Sequence, residues 1–451
     1  MRPQIAAILI VVTACVGGDT NAPDNTAAGD RVVIVSGNDQ LGAVRANLEL
    51  PLVAKVIGAD GEPRSDVPVS WAVADGGTLT TSSRRSDANG LVSATWNLGG
   101  KDEHEGSVRL TNGSAAAFGA EEASGRQIEL LEASLLRPQT YDGSRQTVHP
   151  DFARTPTDWG AYELHLALTP YPNGATALEN PSVFVSRLGY RWFPESGVTN
   201  PIIAPNTGYL SDPDLLYVPS TRELWMYYRN VDSKNRIYLV RSRDGIKWGS
   251  STHVVEGANQ TVISPSVVRR SENDWLMWTI NGGSHGCSDN VASVELRRSR
   301  DGVTWGSAVP VSLRNGDLMP WHIDVQWIPE MSQYWALYPA KSSGNCATRA
   351  VFLATSSDGV QWTTYPTPVI ESGELSELRD IVYRSTFTYV AADDEIRFWF
   401  SGANVVDDDS YNWRTVFQRR RRGDVFARIA TARIPGIRPE LNPLPAMVDP
   451  P

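Results

Sequence analysis

The sequence predicts an all-β protein in which a β-sandwich is followed by a five-bladed β-propeller, and three observations carry that prediction. A heptapeptide returns along the chain: Ser-Arg-Asp-Gly-Ile-Lys-Trp at 242–248, Ser-Arg-Asp-Gly-Val-Thr-Trp at 299–305 and Ser-Ser-Asp-Gly-Val-Gln-Trp at 356–362, with a worn copy, Ser-Arg-Leu-Gly-Tyr-Arg-Trp, at 186–192. Its tryptophans step by 56, 57 and 57 residues, so one supersecondary unit is used several times. Around each Asp-Gly turn lie β-branched and aromatic runs that make four strands per unit, the blade of a propeller. Upstream, 31–122 alternates short strand-like runs with turns such as Asp60-Gly61 and Asn89-Gly90, the pattern of a sandwich.

From its start the chain reads as exported. Arg2 precedes an apolar run at 5–12 that is too short to span a bilayer. Val12-Thr13-Ala14-Cys15 then resembles the bacterial lipobox, which implies a signal peptide over 1–15 and lipidation of Cys15. Membrane contact is expected through that anchor only, at the outer membrane or cell surface. Residues 16–30, polar and without aromatics, suit a flexible tether.

In 31–122, Trp71 and Trp96 are the expected core. The stretches Asp60-Gly61-Glu62-Pro63, Val67-Pro68-Val69-Ser70-Trp71 and Asp87-Ala88-Asn89-Gly90 resemble the bacterial Ig-like domains of the invasin and intimin type, which implies a spacer or adhesive module.

The propeller is expected over 123–435, with blades near 149–197, 211–259, 263–315, 321–371 and 381–435. Blade five shows strands at 385–390 and 395–400, a third is expected at 425–434, and it lacks the heptapeptide. The unpartnered run 127–136 is expected to close the ring as the outer strand of blade five, which removes open edges. A Pro-rich tail follows at 436–451.

Asp244, Asp301 and Asp358 tempt as a carboxylate ring, but an Asp before Gly serves the turn. The polar residues at inner-strand starts are better candidates: His149 and Asp151, Asp212 and Asp214, Ser264 and Ser266, Trp321, His322 and Asp324, and Arg384. Equivalent positions around one axis converge on a single funnel, where carboxylates repel and at least one pKa rises.

Asp-Pro at an inner-strand start, aromatic second strands (Trp225-Met226-Tyr227-Tyr228, Trp275-Leu276-Met277-Trp278, Tyr334-Trp335) and the Ser-x-Asp-Gly-x-x-Trp turns resemble five-bladed glycoside hydrolases of the arabinanase and invertase types (families 43 and 32) and sialidase-like propellers. The heptapeptide is similar to the sialidase Asp-box with one residue fewer, and that box is structural. The resemblance implies acids on blades one, two and three. Asp151 and Asp212 fill the first two places, but blade three offers Ser264 or Ser266, a departure that leaves Asp324 or Glu179 as the acid. On this reading Asp212 is base or nucleophile and Asp151 tunes it. Arg229, His285, His322, Lys341 and Arg384 would hold hydroxyls or a sugar carboxylate, beside His149 and Asp214, while Tyr171 and Trp321 stack on a sugar ring.

Cys287 and Cys346 fall in corresponding loops of adjacent blades, and in an exported protein they are expected to form a disulfide. No metal motif stands out and no cofactor is expected. A net charge of −10 argues against a nucleic-acid partner; the basic run 419–422 reads as an exposed loop. Three functions remain open: a surface lipoprotein cleaving a polysaccharide, a non-catalytic glycan-binding propeller, or an adhesin.

Overall fold

The computed structural model describes residues 24–431 except 39, 43–44, 46, 49, 74–76, 100–102, 123–132, 188, 190, 206, 345 and 408–409. The expected signal peptide with Cys15, most of the tether and the Pro-rich tail lie outside the described residues. Among the described residues no helix is long and apolar enough to cross a membrane. The chain divides into two compact units, Met1–Leu130 and Leu131–Pro451.

In the first unit, alternation of apolar and polar residues builds two four-stranded sheets. One orders Arg31–Ser36, Leu52–Ile57, Leu91–Asn97 and Thr78–Ser82; the other orders Gln40–Gly42, Ala115–Glu122, Glu103–Arg109 and Ser70–Val73. Leu52, Ala54 and Val56 point to one side of their strand and are buried with Trp96, Val108 and Phe118 in a shared core. Trp71, half-buried, stacks on Phe118 with centroids 5.8 Å apart.

The second unit is five antiparallel sheets in chain order. Their inner strands are Thr147–Arg154, Tyr209–Val218, Ile263–Ser271, Asp324–Ile328 and Ile381–Val390. Apolar cores lie between consecutive blades all the way round, one and two, two and three, three and four, four and five, and five and one. Closure is by Ala133–Leu135, which pairs antiparallel with the third strand of blade five. That is the role expected of 127–136, of which only 133–136 is described.

The heptapeptide is a self-bonded turn. Asp244 Oδ1 accepts the backbone N–H groups of Ile246 (2.9 Å) and Lys247 (2.8 Å), and Asp301 and Asp358 do the same in their blades. Gly302 sits at φ +71°, where a side chain is strained. Its carbonyl accepts the Tyr227 hydroxyl of the preceding blade at 2.6 Å, and those of Gly359 and Gly189 accept the indoles of Trp278 and Trp399. Trp305 and Trp362 pack on Tyr227 and Trp278, so the heptapeptide tryptophans join blades.

Blade five departs from expectation. Its third strand is Ser410–Arg421, and Arg422–Ala430, expected as part of a strand at 425–434, is a helix. Val425 and Ile429, four residues apart, are buried against blade four, and Phe426 packs on Trp335. The basic run 419–422 is not a loop: it ends the strand and starts the helix, and Arg420 and Arg422 pair with Glu374 and Asp394.

Candidate functional site

The site is made where the inner strands begin. The pairing register slips between Val148 and Asp151, Ser211 and Asp214, Ile263 and Ser266, and Val382 and Ser385. In blade four the strand instead breaks between Met319–Pro320 and Asp324–Ile328. His149, Asp212 and Ser264 hold φ of 51°, 50° and 52° at these bulges. A proline follows each of them, as is tolerated where the ladder is already interrupted. Side chains two residues apart share one side of a strand, so each blade sends two tiers of side chains to the axis.

The tier two residues further along the strands joins blades. Asp151 Oδ2 accepts the Leu215 N–H at 2.6 Å, and Asp214 accepts the Val267 N–H at 3.2 Å. Ser266 Oγ accepts the Val325 N–H at 2.8 Å, and Asp324 Oδ2 the Phe387 N–H at 3.3 Å. Each bond runs to the next inner strand. One oxygen from each of Asp151, Asp214 and Asp324 lies within 4.8 Å of the others. Arg384, fully buried, sits among these acids, with Nη2 3.6 Å from Asp151 Oδ1 and Nη1 3.7 Å from Asp212 Oδ1. Burial, then mutual repulsion, pushes Asp151 and Asp214 well above the usual carboxylate range, and burial lifts Asp324 to about 6, with Arg384 opposing in each case. Asp151, Asp214 and Asp324 were expected to react with or bind substrate. The structure instead spends their carboxylates on backbone N–H groups between blades, and Arg384 on neutralising them.

The tier at the strand starts is different. His149 Nε2 and His322 Nδ1 face Asp212 Oδ1 at 3.4 and 3.3 Å, and neither contact has the alignment of a hydrogen bond. The three residues offer one metal-ligand atom each, all within 4.8 Å of one another and all buried. Burial alone would raise the Asp212 carboxyl, but His149, His322 and Arg229 together hold it well below its ordinary range. Arg229 Nη1 donates to Asp212 Oδ2 at 3.4 Å. Burial lowers His322, with Asp212 opposing. Glu179 Oε1 lies 2.9 Å from His149 Nδ1; burial raises its carboxyl and His149 counters. Buried ligand atoms without hydrogen bonds, on an ionised carboxylate and a histidine kept toward neutrality, suit a divalent metal, whose ligands must be deprotonated. No metal was expected from the sequence, because these residues stand at 149, 212 and 322 with no motif spacing.

An aromatic wall adjoins the cluster. Tyr383 lies 4.4 Å from His322 and 5.7 Å from His149 by ring centroids, and accepts a hydrogen bond from Trp321 Nε1 at 3.2 Å. Trp413 is 5.4 Å from both Tyr383 and Tyr171. Tyr171, half-buried, lies beside this wall where a stacking residue was expected, whereas Trp321 is 4% exposed and packs in the core between blades three and four; Tyr383 and Trp413 were missed, the latter because strand three of blade five was sought further on.

Two expected ligand-binding residues are elsewhere. Lys341 Nζ is buried and donates to the carbonyls of Cys287 (2.7 Å) and Asp289 (2.9 Å), anchoring the disulfide loop rather than a substrate. His285 is not gathered with the buried cluster; its side chain is 76% exposed beside Asp289. The Cys287–Cys346 disulfide is formed and joins the loops of blades three and four.

No family model matches the chain. It is 28% identical over 344 residues to an A type blood N-acetyl-α-D-galactosamine deacetylase of Flavonifractor plautii, a match covering 64% of this chain and 44% of that protein. The chain therefore spans less than half the length of that relative. A crystal structure of an N-acetylgalactosamine deacetylase from F. plautii, in complex with blood group B trisaccharide, shares the fold with a TM-score of 0.60 at 23% identity, over 66% of this chain and 96% of that one. An α-L-arabinofuranosidase from Podospora anserina, in complex with cellotriose, aligns with a TM-score of 0.45 at 11% identity, over 64% of this chain and 96% of the other.

Proposed function

We propose that the chain is a metal-dependent carbohydrate N-deacetylase, hydrolysing the acetamide of an N-acetylated hexosamine in a glycan. The observation that carries this is the buried His149–Asp212–His322 cluster, three metal-ligating side chains from three blades with facing atoms free of hydrogen bonds. A divalent metal bound there supplies polarisation of the amide carbonyl and a water of lowered pKa. The protein's own groups do the rest. Arg229 keeps Asp212 ionised. The Glu179 carboxylate 2.9 Å from His149 Nδ1, the nitrogen that hydrogen-bonds Thr169 Oγ1 at 3.1 Å, favours the tautomer that leaves Nε2 toward the cluster. Tyr383 and Tyr171, half-buried and backed by the buried Trp321 and Trp413, offer apolar surface for a sugar ring. The name of the F. plautii relative favours an amide bond as the target.

Glycosidic cleavage by paired carboxylates has less support, since Asp151 and Asp324 are bonded to backbone N–H groups and blade three brings Ser264 and Ser266. In this proposal Cys15 anchors the chain outside the cell and the first unit acts as a bacterial Ig-like spacer. Recovery of Cys15→Ala in the soluble rather than the membrane fraction checks the anchor.

The decisive experiment incubates the protein with a trisaccharide ending in N-acetylgalactosamine and measures acetate. Release that stops with chelator, returns with a divalent metal and is lost in Asp212→Asn and His322→Ala supports the reading. Cleavage to monosaccharide without acetate would replace it with a glycosidase, and binding without turnover with a lectin-like module.

A further inference from the structure

At the end of the ring where inner strands begin, blade five carries a second concavity, away from the central cluster. It is a cleft of about 480 Å³ lined by Arg137, Ser144, Arg145, Glu377, Asn412 and Arg414, among others, a size suited to a small ligand. Asn412 and Arg414 flank Trp413, and alternation along the strand turns them to the side opposite its ring. Trp413 meets Tyr171 and Tyr383 beside the cluster, so one strand stands between the two sites.

The cleft is rich in donors. Arg137, Arg145 and Arg414 each bring a guanidinium, and none of them makes an ion pair among the described residues. Elsewhere on the same blade arginines are paired: Arg397 with Glu395, Arg420 and Arg428 with Glu374, Arg422 with Asp394. On a chain with net charge −10, three unneutralised arginines in one concavity stand out against abundant available carboxylates. Ser144 Oγ accepts the Gln146 N–H at 3.1 Å, leaving its own proton to donate. Glu377 supplies the only carboxylate of the lining. Burial, then repulsion from Arg137, lowers the Arg414 pKa, in keeping with cations held close without an anion between them.

We propose that this cleft is a secondary binding site for an acidic sugar, a saccharide bearing a carboxylate or sulfate ester read by the forks of Arg137, Arg145 and Arg414. Guanidinium matches the geometry of either oxyanion. The choice of a sugar as carrier rests on the proposed glycan substrate. The strand between the sites makes this a retention site for the polymer rather than part of the reaction centre.

Calorimetric titration of the full chain tests it with a hyaluronan tetrasaccharide (carboxylate), a heparin-derived tetrasaccharide (carboxylate and sulfate), chitotetraose (neutral) and inorganic sulfate. Salt-sensitive binding of at least one acidic tetrasaccharide is expected, weakened about tenfold or more in Arg145→Glu and in Arg145→Ala/Arg414→Ala. Arg145→Lys, which keeps the charge but not the fork, is expected to retain only part of it. Arg145 is exposed, so at least one of these variants is safe for folding. Equal binding to wild type and variants, or no binding, overturns the proposal. Sulfate binding as tightly as the sugars also overturns it, reassigning the cleft to a free anion. Acetate release from the short neutral trisaccharide should be unchanged in Arg145→Glu. If wild type releases none yet still binds the acidic sugar, only the deacetylase reading fails.

Discussion

Arg384→Met asks whether the ring's axis is held by charge. Arg384 has no exposed surface, lies 3.6 Å from Asp151 Oδ1 and 3.7 Å from Asp212 Oδ1, and donates to the Pro265 carbonyl at 3.4 Å. Methionine fills much of its volume without the charge. It would leave Asp151, Asp214 and Asp324, with oxygens within 4.8 Å of one another, facing no cation of the same tier. Removing one partner of a buried ion pair costs about 3–5 kcal/mol, so the propeller's melting temperature should fall by roughly 6 °C or more. The assay is urea and thermal unfolding at neutral pH with chelator present, so that metal binding adds nothing to stability. Asp324→Asn separates charge from packing. Its amide oxygen can still accept the Phe387 N–H, while one negative charge is gone, since this carboxyl, at about 6, is ionised at neutral pH. In the double variant the destabilisation should be smaller than the sum of the single effects by about 1 kcal/mol or more. Strict additivity, or a loss under about 1 kcal/mol in Arg384→Met, would refute the argument that Arg384 is there to balance the acids.

Other consequences can be read from stability. Replacing both Cys287 and Cys346 by Ala opens a loop of sequence separation 59 and should cost about 4 kcal/mol by denaturant titration; no change would mean the loops are held by Lys341 alone. Gly302→Ala places a Cβ 2.9 Å from Trp225 and the Tyr227 hydroxyl at φ +71°, for a loss of roughly 2–4 kcal/mol. Gly316→Ala, at φ +60° in open space, should lose only about 1 kcal/mol. The Glu195 carboxyl is pushed up from 4.5 to about 7 by burial and then by Asp244. A folded pKa above the unfolded one means that the ionised form is disfavoured in the fold. The stability linked to this group is therefore full below 4.5 and lost as pH rises through about 7. Glu195→Gln should accordingly melt higher than the parent at pH 8 relative to pH 5, by under about 1 kcal/mol given solvent screening at this half-buried site.

Much of the scaffold was legible because it depends on local chemistry. Three Asp-Gly turns, one worn copy and their tryptophans marked four blades, since the turn needs Gly at left-handed φ and the indole needs a neighbour to rest on. The unpartnered run ahead of blade one implied ring closure, and Ala133–Leu135 provides it. Matching loops implied the Cys287–Cys346 bridge. Blade five was misread where two periods compete: 425–434 is apolar enough for a strand, yet Val425 and Ile429 are spaced for a helix face, while the true strand ends in arginines. The candidate site was half legible. His-Pro, Asp-Pro and Ser-Pro at inner-strand starts pointed to residues that the fold gathers at the axis, but their division into two tiers depends on contacts across blades, which spacing along one chain does not encode.

That division explains why aspartate alone is a poor guide to chemistry in this ring. Asp212 and Asp214 stand two residues apart on one strand, both buried, yet the fold treats them oppositely. Asp214 is surrounded by other acids and pushed toward its protonated form, and its oxygens serve the Val267 N–H. Asp212 is surrounded by His149, His322 and Arg229 and kept ionised, with Oδ1 free of hydrogen bonds. The same residue type joins blades in one tier and presents a charged ligand atom in the other. What distinguishes them is the set of partners that the neighbouring blades send inward: acids around Asp214, histidines around Asp212, with Arg384 reaching both sets. A reacting carboxylate here is recognised by what the other strands deliver to it.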